Sequence, residues 1–335
     1  MLPPDDRATL ADVAALAEVS VSTASRVLTG RGEFVPATRR RVFDAAATLG
    51  YDRESTARGR RTGSDARIIE MVIGRLAGPW VSRAVVGAHE QAFALGYDLV
   101  LTRERDVPTD DWHTRAVGRR SSGVVTTVLM PTAGQVEFLA DYAIPIVLLE
   151  PLGEPTPDLV QVCASDFRGG FDAGRHLVDR GYDDFMLAAP PQRYRYGRAR
   201  AAGFREGVAS ARPGADVEIV DVRWNGRIPT SSVENLVART ERHRVGVFAL
   251  NDTMAAALVS ALIAAGLRVP QDIGVVGFDD VPQHPFRPLS LTSVRQPTRD
   301  MAARAVATLD LLRRGDAIPH RRIELPTELI AREST

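Results

Sequence analysis

The sequence predicts a small all-helical unit at its N-terminus, followed by a larger α/β region with parallel sheets. Three short amphipathic helical patterns fill residues 1–50. From residue 66 onward, short apolar strand patterns alternate with helical stretches, which is typical of parallel sheets covered by helices on both faces. This region spans roughly 270 residues, which is large for one doubly wound sheet, so we expect two lobes with a cleft between them.

The N-terminal unit has the start and stop signals of three helices. Thr9 followed by Asp12 resembles a capping box, with Asp in place of the usual Glu or Gln. Ser20 can cap a second helix that Gly30 ends, and Pro36 suits the first turn of a third. Because a turn of about three residues separates the first two helices, the pattern predicts a helix-turn-helix.

Residues 51–65 differ from their surroundings in composition. The stretch contains four arginines and two glycines among its fifteen residues and has almost no apolar residue. We therefore predict a basic linker rather than an element of a packed core.

The α/β region begins at residue 66, and its elements follow from apolar runs bounded by turn residues. Strands are predicted at 68–73, 97–102, 124–129, 146–149, 185–188, 245–250, 273–278 and 322–325. Helices are predicted at 82–95, 133–142, 169–180, 197–210, 231–241, 252–265 and 297–314.

Composition excludes several classes of protein. The 42 basic residues, all arginine, balance 42 acidic residues, so the chain is not a globally basic nucleic-acid coat, although a local basic patch remains possible. The six histidines lack metal-ligand spacing, so we expect no bound metal. The chain has no lysine, so it cannot form a Gly-rich phosphate-binding loop that ends in lysine, and we expect no cofactor. The single cysteine, the absence of a signal pattern and the short apolar runs predict a cytoplasmic protein without membrane spans.

The second predicted helix has the surface of a DNA reader. It presents Val21, Ser22, Ser25, Arg26 and Thr29, which are small or polar side chains around one arginine. Such a face fits a major groove, where an arginine can contact a guanine edge or a phosphate and hydroxyls can contact phosphate oxygens. From the pattern alone, a three-helix cap with a solvated face remains the alternative.

The segment TLADVAALAEVSVSTASRVLTG closely resembles the headpiece of the lactose-repressor-like (LacI/GalR) transcription factors. The resemblance continues through FVPATRRRVFDAAATLGY, GRARAAGF, ALND, GVVGFDD and LTSVRQP in the order and spacing of that family. It implies a homodimeric regulator that binds double-stranded DNA at a palindromic operator. It also implies a small-molecule effector, a sugar or sugar derivative, bound between two periplasmic-binding-protein-like subdomains.

Domain boundaries and DNA-binding residues follow from the resemblance. We expect a headpiece at 1–50, a hinge at 51–65 and a core at 66–335, with an N-subdomain at about 66–164 and 295–317 and a C-subdomain at about 165–294 and 318–335. The residues expected to contact DNA are Thr9, Ser20, Val21, Ser22, Thr23, Ser25, Arg26, Thr29, Tyr51, Arg58 and Arg60.

The hinge departs from the family pattern. Where the family reads YxPNxxARxLRTG, this chain reads YDRESTARGRRTG. Glu54 replaces the Asn that helps to form a short helix, Gly59 weakens that helix, and Arg60 replaces the Leu that wedges into the minor groove. Arginine is attracted to a narrow minor groove but does not unstack bases, so a flexible basic tether is the alternative to a folded hinge.

The resemblance also implies effector-binding positions. Arg200 can hold vicinal hydroxyls or a carboxylate with its planar fork, and Asp279 can accept hydrogen bonds from hydroxyls at the end of a strand. Trp224 and Trp80 can stack on a flat ligand, and Asn251 offers a donor and an acceptor. The full expected set is Trp80, Asp166, Arg200, Trp224, Asn251, Asp279 and Gln296. Glu150 is expected to be a solvated acid at a strand end rather than a cleft residue.

We therefore interpret the chain as a sequence-specific transcriptional regulator, a repressor of carbohydrate-utilisation genes whose operator affinity depends on a sugar-like effector. The alternative is a cytoplasmic sugar- or nucleobase-binding protein with weakened or non-specific DNA binding. A sugar hydrolase is disfavoured, because the adjacent carboxylates Asp279 and Asp280 would point in opposite directions along an extended segment and no nucleophile-and-base set is evident.

Overall fold

The computed structural model describes residues 8–28, 34–49, 51, 67–74, 78–104, 112–191, 194–281 and 290–335. Within them, the N-terminal helical unit contains α1 (Leu10–Leu16), α2 (Val21–Leu28) and α3 (Pro36–Thr48). Its small core consists of apolar side chains at helical spacing, including Val13, Ala14, Ala24, Val27, Val42 and Phe43.

Both N-terminal caps predicted from the sequence are confirmed. The Thr9 hydroxyl accepts from the Asp12 backbone N–H at 3.3 Å, and the Asp12 carboxylate accepts from the Thr9 backbone N–H at 2.7 Å. The Ser20 hydroxyl accepts from the Thr23 backbone N–H at 3.1 Å. Val35 precedes α3 and makes no side-chain cap, as expected for an apolar residue there.

The first lobe is built on a six-stranded sheet. Its strands are β1 (Ile68–Ile73), β2 (Asp98–Arg103), β3 (Gly123–Thr127), β4 (Ile146–Leu149), β5 (Val160–Ala164) and β11 (Arg322–Leu325). They lie in the order β11-β5-β4-β3-β1-β2, and all neighbouring strands are parallel. The helices of this lobe are α4 (Pro79–Ala94), α5 (Trp112–Gly118), α6 (Ala133–Asp141) and α11 (Thr298–Arg314).

The second lobe is built on a second six-stranded sheet. Its strands are β6 (Asp184–Ala188), β7 (Val217–Val220), β8 (Val245–Ala249), β9 (Ile273–Asp279), β10 (Thr292–Arg295) and β12 (Glu328–Ile330). They lie in the order β12-β10-β9-β8-β6-β7, and of these pairings only that of β12 with β10 is antiparallel. The helices are α7 (Asp166–Asp179), α8 (Arg195–Ala211), α9 (Thr230–Thr240) and α10 (Asp252–Ala264).

The predicted fold class is confirmed, with one correction to the division of the core. We expected residues 318–335 to belong to the C-subdomain, but β11 pairs in parallel with β5 of the first sheet. Only β12, which pairs with β10, lies in the second sheet. The chain therefore crosses between the lobes after β5, after β10 and after β11. The boundary was misplaced because β11 and β12 are both short and largely exposed, so their sequences do not indicate which sheet each strand joins.

The N-terminal helical unit packs on the first lobe through α3 and α6. The ring of Phe43 lies edge-on to Tyr142, with centroids 6.2 Å apart, and the Tyr142 hydroxyl donates to Asp44 at 3.2 Å. Arg40 forms an ion pair with Asp141 at 2.5 Å. None of the helices in the part of the chain that the structure describes is long and apolar enough to cross a bilayer.

Candidate functional site

Arg200 lies at the centre of the cleft between the lobes. Its Nε donates to Asp166 Oδ1 at 2.9 Å, and its Nη1 donates to the Leu250 carbonyl at 2.7 Å and to Asp279 Oδ1 at 3.5 Å. The guanidinium lies 3.7 Å from the ring centroid of Phe278. The arginine is therefore held by charge, by hydrogen bonds and by an aromatic face, which together fix the direction of its fork.

Glycines allow the two helices that carry these groups to cross closely. A Cβ added at Gly203 of α8 would lie 1.9 Å from the Phe167 carbonyl of α7, and one at Gly170 of α7 would lie 2.1 Å from the Arg200 carbonyl of α8. No larger residue fits at either position without separating the helices. The close crossing places Asp166, at the start of α7, beside Arg200.

A chain of hydrogen bonds joins the two lobes through Asp279. Gln296 Nε2 donates to Asp279 Oδ1 at 2.5 Å, and Trp80 Nε1 donates to Gln296 Oε1 at 3.2 Å. Trp80 belongs to α4 of the first lobe, whereas Asp279 ends β9 of the second. Asp279 has φ of 103°, a strained value for a residue with a side chain, as is common at functional sites.

Aromatic rings form one wall of the cleft. Tyr194 and Tyr196 stack with centroids 5.6 Å apart, and Trp224 lies 5.9 Å and 5.4 Å from them. Asn251 supports this wall, because its amide donates to the Trp224 carbonyl at 3.4 Å while its Oδ1 caps α10 through the Met254 N–H at 2.8 Å. The two tyrosines were not predicted from the sequence.

Glu150 is not the solvated acid that we expected. It is buried with φ of 51°, and its Oε1 accepts from Arg195 Nη2 at 2.6 Å. Its Oε2 accepts from the Ala164 backbone N–H at 3.2 Å. The prediction was wrong because the partner comes from the other lobe, 45 positions away in the sequence.

Arg195 was missed by the sequence analysis, although a signal was present. Helix α8 begins with RYGRAR, which has three arginines in six residues, and the positive end of the helix dipole disfavours cations there. Such a start requires nearby carboxylates. For Arg195 these are Glu150 and, at 3.6 Å, Asp166 Oδ2.

Burial shifts the pKa values of the cleft carboxyls upward. Desolvation raises the pKa of Asp279 to about 6, against the lowering effects of Arg200 and the hydrogen bond from Gln296. Desolvation also raises the pKa values of Glu150 and Asp166, which the neighbouring guanidiniums partly oppose. Three carboxyls, those of Glu150, Asp166 and Asp279, thus surround the two guanidiniums of Arg195 and Arg200.

Asp280 takes no part in this cleft cluster. Its carboxylate contacts Arg295 at 2.8 Å and Arg332 at 2.7 Å, whereas Asp279 faces Arg200 and Gln296. The two neighbouring carboxylates therefore point apart. An open groove of about 470 Å³ adjoins the cluster, lined by Ser82, Arg83, Val86, Arg295, Gln296, Pro297, Thr298, Arg299 and Asp300.

The predicted DNA-reading surface is exposed on α2. Val21, Ser22 and Arg26 are exposed, while Ala24 and Val27 on the opposite side are buried. Thr23 and Ser25 are half-buried, and Ser20 hydrogen-bonds Ser22 and Thr23 through its hydroxyl. The side of α2 that the sequence predicts to read DNA is thus free of the core of the N-terminal unit.

The remaining DNA-contact predictions concern the start of α1 and the hinge. Thr9 caps α1, and Tyr51 is half-buried with its carbonyl accepting from Arg120 at 3.2 Å. Thr29, Arg58 and Arg60, as well as the atypical Glu54 and Gly59, lie outside the described residues.

Comparisons with known proteins agree with this division of the chain. Residues 9–54 match the family described as "Bacterial regulatory proteins, lacI family", and residues 175–335 match the "Periplasmic binding protein-like domain". The HTH-type transcriptional regulator CelR of Thermobifida fusca is 32% identical in an alignment of 340 positions that covers 98% of each chain. The HTH-type transcriptional repressor PurR of Photobacterium profundum is 28% identical in an alignment of 334 positions that also covers 98% of each chain.

Solved structures of similar proteins include bound small molecules and DNA. A complex of the transcriptional regulator CelR with cellobiose is 29% identical and matches with a TM-score of 0.70, covering 98% of this chain and 100% of that one. A lac repressor dimer bound to operator and the anti-inducer ONPF is 25% identical and matches with a TM-score of 0.69, covering 98% of both chains.

Proposed function

This chain belongs to the LacI family of bacterial regulatory proteins and is a DNA-binding transcriptional regulator, and we propose that it is a repressor controlled by a neutral sugar. The observation that carries the proposal is the Arg200 cluster. It brings a fixed guanidinium fork and the carboxylates of Asp166 and Asp279 to the cleft between the lobes. In this proposal the chain acts in the cytoplasm as a homodimer, binds a palindromic operator through α2 and has no enzymatic activity.

The cleft chemistry favours a polyhydroxylated ligand. Carboxylate oxygens accept hydrogen bonds from vicinal hydroxyls, and the half-buried ring of Trp224 can pack on the apolar side of a pyranose. An anionic ligand is disfavoured, because both buried guanidiniums already have carboxylate partners. The similarity to the CelR–cellobiose complex supports a β-linked glucose disaccharide as the first probe.

The effector proposal is tested by titrating the purified protein with cellobiose, glucose, maltose and hypoxanthine in a calorimeter. We expect saturable binding of at least one sugar and a change in operator affinity at the same sugar concentration. Binding of hypoxanthine without any sugar would instead make the chain purine-responsive, as the names of several relatives suggest for those proteins.

The DNA-reading role of α2 is tested by replacing its exposed arginine. Arg26→Ala removes a base or phosphate contact and should weaken operator binding by about 1–3 kcal/mol, or roughly fivefold to 150-fold. Arg175→Ala is the matched control, because it removes the same charge from an exposed position on α7 of the second lobe. Equal operator affinity of the two variants would exclude Arg26 from the reading surface, and absence of operator binding by the unaltered protein would favour the weakened-DNA-binding alternative.

The homodimer is tested by sedimentation of the unaltered protein. We expect a single dimeric species at micromolar concentration, since a dimer presents two α2 helices to the two halves of a palindromic operator. A stable monomer or tetramer at that concentration would contradict the proposal.

A further inference from the structure

The lobes of the core are joined by contacts in the interior of the cleft. Arg195 begins α8 of the second lobe, and its Nη2 donates to Glu150, which follows β4 of the first lobe, at 2.6 Å. The exposed fractions of these two side chains are 4% and 3%, so the pair lies almost entirely out of solvent. The backbone N–H of Arg195 also donates to the Leu152 carbonyl of the first lobe at 2.9 Å.

Each partner is held in place by its own lobe. Glu150 has a left-handed backbone and accepts a second hydrogen bond from the Ala164 N–H, which orients its carboxylate toward the cleft. Arg195 is fixed by the helix that also carries Arg200, and the stacked rings of Tyr194 and Tyr196 flank it in the sequence. Pairing therefore requires little further ordering of either side chain once the lobes approach.

The ring contacts show that the cleft is lined by side chains that pack on one another. Tyr194 and Tyr196 stack, Trp224 lies edge-on to Tyr196, and Trp80 reaches across to Gln296. One turn further along α4 from Trp80, Arg83 Nη1 donates to the Asp280 carbonyl at 2.7 Å. The lobes thus meet at two separate places through their own side chains.

We propose that the Arg195–Glu150 pair holds the cleft closed in the absence of an effector. An open cleft would separate a guanidinium from a carboxylate that stays oriented by the Ala164 N–H of its own lobe. Such a carboxylate loses its counter-charge without regaining full hydration, so opening is disfavoured.

The proposal is tested by measuring the separation of the lobes in protein without any sugar. Spin labels on cysteines introduced at Glu137 of α6 and Glu234 of α9 report the distance between the lobes by double electron–electron resonance. Both positions are exposed, and the native Cys163 is buried, so it does not take up label. We expect a narrow distance distribution for the otherwise unaltered protein.

Glu150→Gln and Arg195→Met should each broaden this distribution and add a second distance, that of the open form. The ratio of closed to open molecules should fall at least about tenfold, which corresponds to ~1.4 kcal/mol. Arg195→Lys should restore part of the closed population, because it keeps the charge. Arg198→Met is the matched control: its ion pair with Glu154, at 3.3 Å, also joins the lobes but is exposed to solvent and contributes little.

Circular dichroism and thermal unfolding show which variants fold. If Arg195→Met does not fold, Glu150→Gln decides, since its side-chain oxygen can still accept from the Ala164 N–H. An unchanged distribution in the folded Glu150→Gln or Arg195→Met variant would overturn the proposal, as would a broad, two-distance distribution in the otherwise unaltered protein. Because no sugar is added, these outcomes do not depend on the identity of the effector.

Discussion

Arg200, which we propose as an effector-binding residue, also contributes to the stability of the core. Its guanidinium contacts Asp166 at the start of α7, the Leu250 carbonyl after β8, and Asp279 at the end of β9. A residue that binds an effector through such a fork also neutralises buried carboxylates. Changes at this position therefore affect the free energy of unfolding as well as the response to effector.

Arg200→Lys keeps the charge but cannot reach three acceptors with one ammonium group. We expect it to abolish the effector response, to leave operator binding intact and to lower the free energy of unfolding by about 2–4 kcal/mol. Denaturant unfolding and operator titration with and without effector measure these effects. Arg205→Lys, at an exposed position on the same helix, should change neither, and a variant with full effector response would remove Arg200 from the site.

We expect Asp279 to make effector binding depend on pH. Its pKa is raised to about 6, so the carboxylate that we propose to accept from a sugar hydroxyl is lost as pH falls through 6. Sugar affinity should therefore decrease by up to tenfold per pH unit below that value and level off above about pH 7. Folding stability changes in the opposite sense: because the folded pKa exceeds the ordinary 3.8, ionisation of this group costs stability as pH rises from about 4 to 6.

Calorimetric titration between about pH 5 and pH 8 measures this dependence. Asp279→Asn cannot ionise, so its residual affinity should not follow the same profile. A sugar affinity of the unaltered protein that stays constant over that range would show that an ionised Asp279 is not required.

At the scale of elements, the crossing of α7 and α8 determines the geometry of the cleft. Gly203 packs against the Phe167 carbonyl, and a Cβ there would lie 1.9 Å from that oxygen. The two helices carry Asp166 and Arg200, so their separation would also separate this ion pair.

Gly203→Ala should lower the free energy of unfolding and reduce effector affinity, because the helices must move apart. Gly134→Ala in α6 is the matched control, since a Cβ there meets no atom within 4 Å. The control should be neutral or stabilising by up to about 1 kcal/mol, because alanine is the better helix former. Thermal unfolding of both variants measures the difference, and equal melting temperatures would refute the close-packing argument.

The hinge is a second element-scale feature, predicted from the sequence alone because residues 52–66 lie outside the described part of the chain. With Arg60 in place of an apolar wedge, we expect weak DNA bending and salt-sensitive operator binding. Arg60→Leu should reduce the salt slope by about one unit per subunit and increase the bend, since each neutralised phosphate adds ~0.9 to the slope. Binding at several salt concentrations and a circular-permutation assay test this; a sharp bend that Arg60→Leu leaves unchanged would contradict it.

At the scale of the whole molecule, the N-terminal unit is in contact with the first lobe of the core. Phe43 of α3 is buried against Tyr142, and burial together with Asp44 raises the pKa of the Tyr142 phenol. The contact leaves Val21, Ser22 and Arg26 of α2 exposed. The first lobe can thus position the DNA-reading helix without covering it.

Tyr142→Ala removes the ring that packs on Phe43 and the hydrogen bond to Asp44. We expect faster amide hydrogen exchange in α3 with little change in the sheets of the core. Arg40→Ala, which removes an exposed ion pair with Asp141, should have a much smaller effect. Equal exchange of α3 in the two variants would show that the aromatic contact does not order the N-terminal unit.

Local patterns in the sequence were sufficient for the N-terminal unit and most core elements. The capping box at Thr9, the Ser20 cap and the apolar faces of α1–α3 depend on residues three or four positions apart, so a short window contains all the information. The α/β class and the strand-end positions of Asp279 and Asn251 followed in the same way, from periodicity and from the edge at which parallel strands end.

The pairing of Arg195 with Glu150 and the sheet that β11 joins depend on residues far apart in the sequence. Arg195 finds its carboxylate 45 positions away in the other lobe, and β11 pairs with a strand about 160 positions earlier. A carboxylate after a strand has the same local pattern whether it meets water or a guanidinium, and a short exposed strand fits the edge of either sheet. The charge state, burial and partner of such residues are set by which surfaces meet when the lobes fold, because electrostatic and packing energies depend on distance in space rather than along the chain.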